Sequence, residues 1–171
     1  MPTIVSAEHV RANLQITGDA DPLIDVMITA AEAEIESRCN LQIFTATITE
    51  YLDGGRESLF LSKSPVISVT TLTDTDAGPT VWNAANYEVY LNKGIITSTI
   101  GDFSEGAQRW EVVYEAGFGA AQDDVPADLR LAAMRMISFW YENPIGFRTG
   151  ASVLWPDDIF DIFKRYRRRP V

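Results

Sequence analysis

Apolar residues recur at three- and four-residue spacing in four stretches of the chain, and alternate with polar ones in the long stretch between the second and the third. Behind Ser6, Val10 and Leu14 define a short helix, with Gly18 beyond its end. After Asp21-Pro22, a cap followed by proline, the set Ile24, Met27, Ile28, Ala31, Ile35 and Cys39 follows one face of a second helix that stops at Asn40. Asp25, Glu32, Glu34 and Glu36 lie off that face; the three glutamates alternate, which predicts a water-facing surface. A third helix starts at Pro126, whose fixed φ suits a first helical position, and Asp128 places a carboxylate against its positive end. Its apolar face is Leu129, Ala132, Ala133, Met136, Ile137, Trp140 and Tyr141, and Asn143-Pro144 ends it. Both the second and third helices are amphipathic, so each is the other's expected partner. Pro156, Asp157 and Asp158 open a fourth helix carrying Ile159, Phe160, Ile162, Phe163 and Tyr166.

Between these helices the period changes to two. Ile43 to Leu52 reads as a strand, Asp53-Gly54-Gly55 as its turn and Leu59 to Leu61 as a short return. Ser64-Pro65 breaks the chain, Val66 to Asp74 resumes the strand pattern and Asp76 to Pro79 turns it back. Tyr87 to Leu91 and Ile95 to Ser98 flank the hairpin loop Asn92-Lys93-Gly94, and Trp110 to Glu115 is the sixth strand, halted by Gly117 and Gly119. The fold class is therefore α+β: a helical core of about four helices with an inserted small antiparallel β-region. The expected organisation is a single domain, with N-terminal helices in 1–42, the β-insert in 43–115, and C-terminal helices with a basic tail in 120–171.

Charge changes this picture at one end. The 171 residues carry a formal net charge of −10. Residues 1–163 hold 9 Lys and Arg against 24 Asp and Glu, whereas 164–171 hold 5 basic residues and no acid. An acidic body argues against general nucleic-acid affinity, which depends on neutralising phosphates. The basic end, Lys164-Arg165-Tyr166-Arg167-Arg168-Arg169, marks an interaction arm for either nucleic acid or an acidic protein surface.

The catalytic search finds little. His9 is the one histidine and has no cysteine or serine elbow beside it. No phosphate loop occurs, and Gly117 and Gly119 lack the third glycine of a dinucleotide fingerprint. Asp74 with Asp76 and Asp123 with Asp124 read as solvated turns, not calcium loops. Cys39 reads as a small buried residue, and a lone cysteine excludes an internal disulfide. Trp110, Trp140, Tyr141 and Trp155 lack interleaved basic residues, so packing is favoured over base stacking. No apolar run reaches about 18 residues, and the first residues lack the pattern of a secretion signal. No cofactor, metal or membrane is expected, and no enzymatic activity.

The order Cys39-Asn40-Leu41, Ser64-Pro65-Val66-Ile67-Ser68-Val69, Tyr114-Glu115-Ala116-Gly117-Phe118-Gly119, Val125-Pro126-Ala127-Asp128-Leu129-Arg130 and Trp140-Tyr141-Glu142-Asn143 resembles the head-tail connector, or adaptor, proteins of tailed bacteriophages and of prophage-derived gene transfer agents. The likeness covers nearly the whole chain. It implies a structural protein of the virion neck, made in the bacterial host cytoplasm. That protein forms a ring of roughly twelve copies under the portal, continues the DNA channel and links the capsid to neck, stopper or tail proteins. DNA would pass through the lumen without sequence-specific binding. The resemblance also implies a portal-docking segment in the final helix and tail, carried over here to Phe163, Lys164, Arg165, Tyr166, Arg167, Arg168 and Arg169. The alternative is a DNA-packaging accessory whose basic tail binds nucleic acid.

Overall fold

The computed structural model describes residues 2–17, 22–76, 78–143 and 157–167. Asp21, Pro156 and Gly18, expected at helix ends, and the aromatic Trp155 lie outside them. The chain divides into two compact units, one of Met1–Ile43 with Gly119–Arg167 and the other built on Phe44–Phe118.

The first unit is helical. Helix α1 (Ala7–Leu14) starts where the Ser6 hydroxyl accepts the His9 N–H at 3.2 Å. It ends at Gln15, which takes the left-handed conformation that closes the last turn. Helix α2 (Pro22–Cys39) buries Ile24, Ile28, Ala31, Ile35 and Cys39 of the face its periodicity predicts, and leaves Met27, at the margin of that face, half-buried. Asn40 is left-handed, and the Leu41 N–H returns to the Glu36 carbonyl at 3.1 Å, the six-to-one bond of a Schellman cap. Helix α3 (Ala127–Glu142) buries Leu129, Ala132, Ala133, Met136 and Ile137 and packs against α2. Pro126 serves as its cap, one position earlier than expected, with its carbonyl accepting the Arg130 N–H at 3.1 Å. Helix α4 (Asp157–Tyr166) lays Ile159, Ile162 and Phe163 against α2 and α3.

Two of the three alternating glutamates on α2 are not simply water-facing. Glu32 accepts the Ile4 N–H at 2.7 Å, and Glu36 accepts the Ile43 N–H at 2.8 Å and the Gln42 amide at 3.2 Å. Four residues apart, these two share one helix face. Glu34, on the other side, pairs with Arg38. Burial raises the Glu32 pKa above the usual carboxylate value, with a smaller push from the Glu36 charge.

The second unit contains seven strands among the described residues: β1 (Ala46–Leu52), β2 (Ser58–Phe60), β3 (Val66–Asp74), β4 (Thr80–Val81), β5 (Tyr87–Tyr90), β6 (Ile95–Ser98) and β7 (Trp110–Ala116). One sheet has the order β1-β7-β3-β4 and the other β2-β6-β5, with every pairing antiparallel. Strand β1 starts at Ala46, three residues after Ile43, whose N–H is held by Glu36 of its own unit. Strand β2 is not the return of β1: it pairs with β6 in the other sheet. The Gly54-Gly55 turn instead bonds to the loop before β7, its N–H groups reaching the Gly106 and Phe103 carbonyls at 2.9 and 2.8 Å.

Both sheets contribute to one core. Central strand β7 turns Trp110, Val112, Tyr114 and Ala116 inward, the alternation of a half-buried strand. Trp110 meets Trp82 and Phe103 edge to face at centroid distances of 4.8 and 5.0 Å, a preferred aromatic geometry. The strand ends at Gly117, whose φ of 138° favours glycine. A Cβ there would also stand 2.5 Å from the Thr45 nitrogen. Gly119 is needed for space rather than for φ, because a Cβ would run into the Asp124 side chain.

Candidate functional site

The basic end of α4 is positioned by its apolar face. Ile159, Ile162 and Phe163 are buried in the helical unit, which fixes where the following cations emerge. Phe163 therefore belongs to the core of its own unit, and its carbonyl accepts the Arg167 N–H at 2.7 Å. Cys39 lies beneath, its Sγ 3.8 Å from the same carbonyl. Burial pushes the Cys39 thiol up to about 11, against the opposing pull of the Arg167 and Arg38 cations. A thiol so shielded is a packing residue rather than a nucleophile.

Tyr166 is half-buried and donates its hydroxyl to Asp128 Oδ1 at 2.7 Å. Burial, and then this hydrogen bond to a carboxylate, push its pKa up to about 12. Arg165 reaches the other oxygen, Asp128 Oδ2, at 3.5 Å. Asp128, expected only to complement the start of α3, thus also ties down the end of α4. Its second role is a tertiary contact across 38 residues of sequence, which no local pattern announces.

Lys164 and Arg167 are exposed. Lys164 Nζ lies 2.9 Å from Asp161 Oδ1, a surface pair one turn back, and this hydrogen bond holds the Asp161 carboxyl below its ordinary pKa. Such pairs contribute little to stability. With Arg38 and Glu34 from α2, both cations line an open groove of about 560 Å³ whose apolar wall includes Phe160 and Phe163. Of the seven residues expected to dock, the structure brings Lys164 and Arg167 to this groove, sets Arg165 and Tyr166 on Asp128 and buries Phe163. Arg168 and Arg169 lie outside the described residues.

Arginine forks above an apolar wall suit a partner's carboxylates. No group of three or more His, Cys, Asp or Glu that could hold a metal occurs among the described residues, and no helix there is long and apolar enough to cross a membrane. His9 stands on α1, beside Arg130 rather than near a nucleophile.

A family model described as head completion protein matches residues 3–168. The chain belongs to the head completion protein family. The sequence-level resemblance to head-tail connectors agrees with that membership. Among solved structures, this chain is similar to a chain in the neck of an empty gene transfer agent particle computed with C6 symmetry. Identity there is 24% and the TM-score 0.75, over 98% of this chain and 91% of that one. A chain of the native gene transfer agent virion matches at 22% identity and TM-score 0.76, with the same coverage. A third, from the neck of the native particle computed with C12 symmetry, matches at 24% identity and TM-score 0.72, over 96% of this chain and 88% of that one. At these identities the likeness is one of fold. A search of curated proteins finds no match.

Proposed function

We propose that this chain is a structural, non-enzymatic component of the virion neck. It forms a ring, of twelve copies where it follows portal symmetry, beneath the portal, extends the DNA channel, and links the capsid to neck, stopper or tail proteins. The observation that carries the reading is the head completion family match over residues 3–168. The gene transfer agent necks, solved with C6 and C12 symmetry, support a ring. The two units act together as one connector domain, made in the bacterial cytoplasm and placed at the head-tail junction.

In this reading Lys164, Arg165 and Arg167, continued by Arg168 and Arg169, meet acidic groups of the portal. Phe163 and Tyr166 hold the helix that presents them, since their side chains are engaged within the helical unit. The acidic body fits a channel through which DNA slides, because a negative wall does not grip phosphate.

The test is co-sedimentation with the portal ring encoded by the same genome. Removing everything after Phe163 would also remove Tyr166 from Asp128, so substitution is the cleaner variant. Alanine at Arg165, Arg167, Arg168 and Arg169 should abolish co-sedimentation and leave the fold intact; wild-type binding by that variant would refute docking through the basic end. Salt-dependent binding of the purified chain to duplex DNA near physiological ionic strength would favour the packaging-accessory role instead.

A further inference from the structure

Helix α2 is apolar on two sides. Its buried stripe is Ile24, Ile28, Ala31, Ile35 and Cys39, but Leu23, Val26, Ala30 and Ala33 form a second stripe turned outward. Leu23 is 48% exposed and Val26 64%. The positions 23, 26, 30 and 33 follow helical spacing with no charge among them. On a chain of net charge −10, an uncharged helix face is a surface built to be covered.

The same unit carries a matching concavity elsewhere. Val5 before α1 and Ala127, Leu131 and Met134 of α3 line a mainly apolar groove of about 240 Å³. Leu131, 46% exposed, stands at its side. The groove lies on the side of α3 away from Leu129, Ala132 and Met136, at the centre of the face buried in the bundle, with Ala133 and Ile137 at the margin between them. Stripe and groove are thus separate patches, as a head-to-tail contact requires and a two-fold contact does not.

Charge fits the same occupant. Arg130 and His9 line the groove. The Arg130 side chain is 29% exposed and its Nη1 pairs at 2.9 Å with Asp123, itself 93% exposed, so the guanidinium end stays open to a second carboxylate. Asp25, exposed on α2, precedes Val26 by a single peptide bond and can bring a carboxylate beside the stripe.

We propose that the outward stripe of α2, centred on Val26, seats in the α1–α3 groove of a second copy of this chain, with Asp25 directed at Arg130, and that repetition of this contact closes the ring. The inference rests on the ring reading above and adds the residues that make it.

Two exposed positions test it without disturbing the core. Val26→Cys and Leu131→Cys are introduced together, and particles assembled with this variant are treated with a short bismaleimide. The native Cys39 is fully buried, and wild-type particles serve as its control. A ladder of cross-linked multiples is expected, whereas each single variant should give none. Particles that carry a ring of this chain but yield no Val26–Leu131 cross-link overturn the contact and leave the ring standing. Dimers from Val26→Cys alone indicate a two-fold contact and also overturn it. Particles with no ring of this chain refute both the neck reading and the contact. A companion variant, Val26→Asp, should lower incorporation into particles about tenfold, as loss of a contact centre does; unchanged incorporation counts against the stripe.

Discussion

In the β unit the side chains that hold the fold are large, aromatic and internal. Trp110, Tyr114, Phe103 and Leu72 are buried, and Trp82 packs on Phe103 and Trp110. In the helical unit the apolar stripes are aliphatic apart from Phe163, and three carboxylates tie its loose ends: Glu32 holds Ile4, Glu36 holds Ile43 and Asp128 holds Tyr166. The difference is one of kind. Apolar packing resists in proportion to the area removed from water and is indifferent to pH, whereas a carboxylate clamp acts at one point and answers to protons.

The sharpest way to break this contrast is Trp110→Ala. It empties the middle of the aromatic cluster and leaves the Ser104 carbonyl without the indole N–H that reaches it at 3.1 Å. A loss of about 3–5 kcal/mol is expected in urea unfolding; a loss under about 1 kcal/mol would show that the cluster is not the centre of the unit. Next, Gly117→Ala forces a left-handed φ on an L-residue and drives its Cβ into Thr45. A cost above about 2 kcal/mol is expected, with faster hydrogen exchange at the start of β1.

The helical unit should respond locally. Asp128→Ala deprives the Tyr166 hydroxyl and Arg165 of their shared acceptor, at about 1–2 kcal/mol. Exchange should quicken in α4 while the amides of α2 keep their protection. Equal loss in both helices would mean that the clamp supports the whole bundle.

The smallest effect concerns protons. Because the folded pKa of Glu32 is raised, the folded chain binds this proton more tightly than the unfolded chain. The contribution of Glu32 is therefore fully present below the unfolded carboxylate pKa and is lost as pH rises through the higher folded value. Glu32→Gln keeps an oxygen for the Ile4 N–H and removes the repulsion from Glu36. It should be within about 0.5 kcal/mol of wild type near neutral pH and should flatten this part of the stability profile above the ordinary carboxylate pKa. An unchanged slope would place the proton elsewhere.

What the sequence disclosed was whatever period and local chemistry could encode. The stripes of α2 and α3, the alternation of β7 and the Ser6 and Asn40 caps are properties of neighbours along the chain, and each stands where its residues put it, except that Met27, Trp140 and Tyr141 at the stripe margins are only half-buried. What stayed hidden depends on contacts between distant residues. Leu59 is as apolar beside β6 as it would be beside β1, so hydrophobicity alone could not choose its partner. Thr80–Val81 is too short for a period. Alternation along the sequence hides the partners of the α2 glutamates, although the spacing of 32 and 36 places two carboxylates on one face. The basic end was legible as charge, but the placement of Phe163 and Tyr166 inside the unit came only from packing. The groove beside His9 and Arg130 had no sequence signal, because it is the space left between helices.

The pairing of Ala46 with Ala116 gives the β unit a further property. Opposed residues in an antiparallel ladder lie about 5 Å apart, so the excursion through β1 to β7 departs and returns at nearly one point. Some seventy residues of the β unit are thus closed off by one pair of opposed strand ends. The length of chain inside that closure can vary, because the closing pair fixes only its two ends.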